Sequence, residues 1–404
     1  MNVLVINCGS SSFKYQLIDM SREAVLSSGL VERIGEAHGS LSHKVAPGTD
    51  KESVFRREQP FPDHTAGLNA VMELLVDPER GVISSLKDIN AVGHRVVMGG
   101  EDIRASCLMG EKEKAAVSRL SALAPLHNPA NLQGIEVAQS LLPHAPSVGV
   151  FDTEFHASLP PKAFMYALPY SLYEEQRIRR YGFHGTSHRF VARSGARLLD
   201  KDPDFFNAIT CHLGNGCSIT AVENGASVET SMGLTPLEGV IMGTRCGNID
   251  PAILLFLGRN GNLDFPVLDS LLNKESGLKG ICGLNDMRDI HAARARGEAR
   301  AQLAFDMFCH GIRKYIGAYC AILGRLDALI FTAGIGENDD QVRAAVCADL
   351  GILGIAVDPA RNAMRSGRPR AISPETSPVA VLVVPTNEEL AIAQETVAVL
   401  AAGR

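Results

Sequence analysis

The sequence predicts an α/β protein made of two similar domains, and three observations carry that prediction. Val3 to Ile6 form an apolar, β-branched run that enters a polar turn at Gly9, Ser10, Ser11 and Ser12, then leaves through Phe13, Tyr15 and Leu17 alternating with polar neighbours. The same pattern of apolar strand, Gly-rich turn and strand returns over residues 208–222, with Gly9 and Gly214 lying 205 residues apart, about half the chain. A repeat of that length marks a duplicated domain and not a short solenoid unit. After the first hairpin, strand and helix patterns alternate, which implies a mostly parallel or mixed sheet covered by helices. A chain of 404 residues is also long for one core when domains average roughly 150 residues.

Composition narrows the function classes. Apolar residues at 46% and charged residues at 21% describe an ordinary soluble globular protein without a long disordered tract. A net charge of −6 argues against nucleic acid as a partner, because duplex binding rests on clustered Lys and Arg. The short basic run Arg177, Arg179 and Arg180 reads as local structure. The nine cysteines include no CxxC pair and sit in apolar stretches, as expected of reduced thiols. No apolar run approaches the ~18 residues of a membrane span and no leader pattern opens the chain, so a cytoplasmic protein is expected.

The first turn suggests phosphate. Gly9 permits close backbone approach, the Ser hydroxyls and turn amides donate, and Lys14 adds a point charge, although Ser and Gly are also ordinary turn formers. Residues 24–31 add a third strand, residues 38–59 are polar and unassigned, and Asp63 caps a helix to about Leu75. Residues 89–98 read as a buried strand ending at Gly99 and Gly100, interrupted by Arg95, either an edge residue or a ligand contact. Asn128 reads as a helix cap with Pro129 at the first helical position, and His127 before it is either a turn residue or a donor to an anion. Residues 147–151 form a strand followed by Asp152, at the carboxyl end where α/β sheets collect ligands. The domain boundary is placed there.

In the second half Ser187 reads as the cap of a helix through Leu199. His184 is flanked by glycines that leave little to bury it. Residues 232–248, with four glycines and Arg245, make a loop of the binding type. A long helix over 298–323 precedes a strand over 328–332. That strand runs into Gly334, Ile335, Gly336, Glu337 and Asn338, a strand, Gly-x-Gly, helix pattern with the helix from about Gln341. A buried strand over 379–384 leads to the last helix, where Thr386 and Glu389 read as a capping box and Glu388 either complements the helix dipole or binds a ligand.

Asn7 to Ser12, with Gly93, His94, Arg95, Val96 and Val97, closely resembles the acetate kinase family. The resemblance extends over the chain through Phe183 to His188, His212 to Gly216, Gly334 to Asn338, and Asn387 to Glu389. It implies a ribonuclease-H-like fold of the actin, hexokinase and heat-shock ATPase type, with duplicated domains and a nucleotide cleft between them. The first domain would comprise 1–152 and 387–404 and carry the acyl side. The second, 153–386, would bind nucleotide and form a homodimer.

The implied reaction is Mg²⁺-dependent, reversible transfer of the ATP γ-phosphoryl group to acetate, giving acetyl phosphate and ADP; Mn²⁺ is an alternative metal. By resemblance Asn7 and Glu388 lie on the metal side and Ser10, Ser12 and Lys14 near the phosphates. Arg95, Arg245, His184 and Asp152 form the catalytic group, and Val97, Leu126, His127 and Pro236 the acyl pocket. His212, Leu213, Gly214, Asn215 and Gly216 would bind nucleotide, together with Asp286, Met287, Arg288 and Gly334 to Asn338. Family members usually carry His where this chain has Met98. Acetate, already ionised at pH 7 with a pKa of about 4 to 5, needs no strong base, so Asp152 is expected to orient the metal, its water or an Arg. Two alternatives stand: a propionate kinase of the same fold, and a nucleotide-driven switch that hydrolyses ATP slowly.

Overall fold

The structure, a computed structural model, describes every residue except Leu126, Asn262 and Arg404. The expected acyl-pocket residue Leu126 therefore lies outside the described residues. The chain divides into two compact units, Met1–Glu154 with Asn387–Arg404, and Phe155–Thr386.

The first unit holds β1 (Asn2–Cys8), β2 (Ser12–Asp19), β3 (Ala24–Glu32), β4 (Gly39–Val45), β5 (Ser53–Gln59), β6 (Ile89–Val96), β7 (Cys107–Leu108) and β8 (Ser147–Phe151). They form one sheet in the order β5-β4-β3-β2-β1-β6-β8-β7. The second unit holds β9 (Ala208–Leu213), β10 (Cys217–Glu223), β11 (Ala226–Thr230), β12 (Ala328–Thr332), β13 (Arg370–Ala371) and β14 (Ala380–Val383). Their order is β11-β10-β9-β12-β14-β13. β1 pairs antiparallel with β2 and parallel with β6, and β8 continues parallel; β9, β10, β12 and β14 repeat those directions. The duplication read from one hairpin is thus a duplicated five-stranded topology of the ribonuclease-H type, closed in each unit by a two-residue antiparallel strand.

The parallel strands β8 and β12 are buried along their whole length, as expected of strands covered on both faces. Helix Glu388–Ala402 covers one face of the first sheet, where Ile392, Ala393 and Val399 pack with Val3, Val5, Ala91, Val148 and Val150. Gly93 makes this seat: a Cβ there would lie 2.5 Å from Thr396 Oγ1 and 2.9 Å from Ile392 Cγ2. Gly93→Ala should therefore lower stability by about 1–3 kcal/mol through overpacking, read as a fall in the urea midpoint at unchanged slope; an unchanged midpoint would contradict that seat.

Several local expectations are corrected. Residues 38–59, unassigned from sequence, supply β4 and β5; β4 alternates in burial but through Ser40, Ser42 and a buried His43, and β5 at the sheet edge buries none of its residues. Asn128 does not cap the helix Asn128–Leu141; His127 takes that position, and the Asn128 amide is drawn instead to Met98 N, Met98 O and Val117 O. Ser187 lies inside the first turn of the helix Gly185–Leu198, with His184 at the N-cap in left-handed backbone, φ 58°. The last helix is capped by Asn387, whose Oδ1 accepts from Leu390 N, while Thr386 bonds Ser187 instead. Gly334 to Asn338 are themselves helical, within Ala333–Asn338, before a second helix at Asp340–Cys347.

Candidate active site

In the first unit the expected residues gather at the carboxyl ends of three neighbouring parallel strands. Asn7 is near the end of β1, Arg95 near the end of β6, and Asp152 follows β8 directly, its N–H donating to Val96 O. Arg95 grips Asp152 bidentately, Nε to Oδ1 at 2.9 Å and Nη2 to Oδ2 at 2.6 Å. Burial opposes the guanidinium charge, but Asp152, with Glu388 and Glu389 beyond it, holds Arg95 protonated more firmly than an ordinary Arg. The Asp152 carboxylate is thereby occupied as an orienting partner of Arg95.

Beyond Arg95 the chain is fastened by side chains from one helix face. Asn131 Oδ1 accepts from Val97 N while its Nδ2 donates to Cys8 O at 2.7 Å, tying the end of β6 to the first turn. Asn128 holds Met98, and Thr153 Oγ1 accepts from Gly99 N. Val97 and Met98 are buried. Sequence reading missed Asn131; its spacing of three from Asn128, on one helix face, was the available signal.

The first turn is tight, with Gly9 N donating to Ser12 O at 2.7 Å and Gly9 O held by His64. Ser10 and Lys14 are exposed and Ser12 half-buried, and Lys14 pairs across the hairpin with Asn7. Glu388, half-buried in the first turn of its helix, has its pKa raised chiefly by burial and by Asp152, with Arg95 and Lys14 acting the other way.

In the second unit, a point beside Gly216 brings the main candidates together. A Cβ on Gly216 would lie 3.3 Å from His184 Cε1 and 3.5 Å from both His184 Nε2 and Arg245 Nη1. His184 stacks on His212 with ring centroids 4.1 Å apart and bonds Ser218 Oγ through Nδ1 at 2.9 Å. Arg245 Nη1 donates to Pro236 O at 3.1 Å and touches Met242 Sδ, with no carboxylate in ion-pair range among the described residues. Burial pulls its pKa down, countered by Cys217. A half-buried guanidinium without a carboxylate partner among the described residues is chemically able to take up an anion.

The 232–248 loop that carries Arg245 is irregular but tied. Arg180 Nη1 donates to Thr230 O, Ser231 O and Met232 O, and Nη2 to Glu238 Oε1 at 2.7 Å. Leu278 N and Lys279 N donate to Met242 O and Gly243 O. Gly243 also joins the two expected nucleotide segments, since a Cβ there would lie 2.5 Å from Asn215 Oδ1 and 3.3 Å from Asn285 O.

The remaining candidates differ in accessibility. Asp286 caps the helix Met287–Ala295 and holds Arg288 bidentately, which pulls the Asp286 pKa down to about 2; Arg288 is exposed and Met287 buried. His212 and Leu213 end β9, in register with Thr332 just before Gly334. Gly334 and Asn338 are exposed, Ile335 half-buried and Gly336 buried. Glu337 turns its Oε1 onto Ala333 N and Thr386 N, an internal brace.

Comparisons with known proteins bear on the family of the chain. The profile of the Acetokinase family matches residues 2–394. The chain is 62% identical over 400 residues to the acetate kinase of Nitratidesulfovibrio vulgaris (strain DP4), covering 99% of this chain and all of that one. It is 61% identical to the acetate kinase of Oleidesulfovibrio alaskensis, again over 99% of this chain and all of the other. Among solved structures, Porphyromonas gingivalis acetate kinase superposes with a TM-score of 0.94 at 42% identity, over 99% of each chain. A propionate kinase from Francisella tularensis superposes with 0.90 at 40% identity, over 98% of this chain and 99% of that one. With a profile match along nearly its full length and relatives above 60% identity, this chain belongs to the acetokinase family.

Proposed function

We propose that this protein transfers the γ-phosphoryl group of ATP reversibly and directly to acetate, giving acetyl phosphate and ADP. The observation that carries the reading is the half-buried Arg245, without a carboxylate partner among the described residues, converging with His184 on Gly216. The acetate oxygen bonds to phosphorus as the bond to the ADP oxygen breaks, and no proton need move. The difficulty is electrostatic, one anion approaching another. Arg95, held in place by Asp152, receives the carboxylate, while Arg245 and His184 receive the phosphoryl oxygens.

The first unit serves the acyl side and the second unit the nucleotide, through 212–216, 286–288 and the exposed parts of 334–338. Asn7 and Glu388 suit Mg²⁺, or Mn²⁺: both offer oxygen donors, Glu388 is a carboxylate that burial makes costly to ionise, and Mg²⁺ needs few protein ligands when phosphates and waters complete its shell. The bound ion would supply charge neutralisation at the phosphates. Ser10, Ser12 and Lys14 complete the phosphate cradle. By resemblance to the family, Val97 in the first unit and Pro236 in the second favour a small acyl group, and His127 belongs to the acyl side.

A homodimer is supported by the helix Ala252–Gly261, which buries none of its residues and exposes Ile253, Leu255 and Phe256, and by the exposed Phe265 of the next helix. The cysteines are all unpaired, as suits a reducing cytoplasm, and among the described residues no helix is long and apolar enough to cross a membrane.

Hydroxylamine trapping of acyl phosphate with ATP and acetate tests the reading. Trapped product is expected, with kcat/KM for acetate above that for propionate by roughly 10-fold or more, the worth of one methylene. ATP hydrolysis without trapped product would overturn it, and a preference for propionate would reassign the substrate.

A further inference from the structure

The candidate His184 is the end of a chain of buried side chains whose protons can be assigned. Thr210 Oγ1 lies 2.7 Å from His188 Nδ1 and 3.5 Å from Thr220 O. Hydroxyl hydrogen bonds cluster near 2.7–2.8 Å and 3.5 Å is at their outer limit, so the Thr210 proton points to His188 Nδ1. His188 is fully buried and neutral: burial, then His156 and His212, push its pKa well below the usual value. A neutral imidazole that accepts at Nδ1 carries its proton on Nε2, and that N–H donates to Ser218 Oγ at 2.6 Å. The single Ser218 proton is then left for His184 Nδ1, 2.9 Å away.

We infer that Thr210, His188 and Ser218 form a proton-ordered relay that holds His184 as the neutral tautomer bearing hydrogen on Nε2, which makes Ser218 and Thr210 positioning residues. Nε2 is the atom that faces the Gly216 point shared with Arg245 Nη1. Around His184, Arg245 Nη1 lies at the same Gly216 point, and the His212 ring stacked on it is held by Ser187 through its Nδ1. His184 therefore donates to an oxyanion without having to be protonated, and its usefulness does not fade as pH rises through the imidazole range.

This inference rests on the reading of His184 as a phosphoryl donor, but its first test does not. The full chain, labelled with ¹⁵N-histidine and free of substrate, is examined by long-range ¹H–¹⁵N correlation, with His184 assigned from the His184→Asn spectrum. The relay predicts the Nε2–H neutral tautomer in the parent protein, a mixed or Nδ1–H tautomer in Ser218→Ala, and retention of Nε2–H in Ser218→Thr. Thr210→Val gives the same direction one step removed and serves should Ser218→Ala not fold. An Nδ1–H signal in the parent protein overturns the relay, as does an unchanged His184 signal in both hydroxyl-deletion variants.

The kinetic counterpart is a kcat that is level across about pH 6–8 in the parent protein, where an ordinary imidazole titrates. In Ser218→Ala it should fall by about 10²-fold, the lower range of a positioned proton donor, and recover partly at the acid end, with KM for ATP little changed. Should the tautomer follow the relay while His184→Asn leaves kcat intact, the relay stands and the phosphoryl-donor reading of His184 fails.

Discussion

Arg245→Ala is expected to lower kcat by about 10³-fold or more, the scale on which an arginine that meets the transferring phosphoryl group acts. Its guanidinium is held by one carbonyl and a thioether sulfur, Pro236 O and Met242 Sδ, so no structural ion pair is lost on truncation. Fold stability should therefore change little, and KM for ATP less than kcat. Arg245→Lys should recover only part of the rate, because an ammonium cannot reproduce the planar fork. Steady-state kinetics with acyl phosphate trapping checks this; an unchanged kcat in Arg245→Ala would remove the residue from the transition state.

Asp152→Asn should damage both stability and catalysis. Its two oxygens take Arg95 Nε and Nη2, and the Asn amide would turn an N–H₂ group onto one of those N–H donors. The side chains are 22% exposed for Arg95 and 2% for Asp152, so a largely desolvated guanidinium would lose its counter-charge, at a cost of about 3 kcal/mol. A loosened Arg95 should raise KM for acetate and lower kcat by about 10²-fold, as a misplacement near 1 Å does. Thermal unfolding and acetate kinetics are read together. Loss of kcat with unchanged stability and unchanged KM for acetate would instead mark Asp152 as a proton acceptor.

The parts of the fold legible in the sequence were those with local causes. The first hairpin, the strand before Asp152 and the strand before Gly334 each pair an apolar run with Gly or polar punctuation, and the sheets contain them as β1–β2, β8 and β12. The caps at Asn128, Ser187 and Thr386 were misread although each residue is a good local capper. In each case the side chain finds a partner distant in sequence: Met98 and Val117 for Asn128, His212 and Thr386 for Ser187. A buried amide or hydroxyl follows the strongest partner the tertiary structure supplies, whatever its own helix end offers.

The catalytic candidates were named from residue type, motif and spacing, but their relations were not. Arg95 and Asp152 are 57 residues apart and meet because parallel strands β6 and β8 end together. His184 and Arg245 meet at Gly216 because a helix cap, a β-turn and a tied loop converge. Nothing in the linear order distinguishes Ser218 or Thr210 from other strand hydroxyls, since what sets them apart is which imidazole nitrogen each faces. The sequence by itself determined the duplication and the chemical inventory, which follow from periodicity and from residues read one at a time, and its motifs carried the resemblance to the family. Only the tertiary structure decided which charges are paired, that Arg245 has no carboxylate partner among the described residues, and that Ser218 Oγ faces the Nδ1 of His184, because those depend on distances of about 3 Å between groups far apart in the chain.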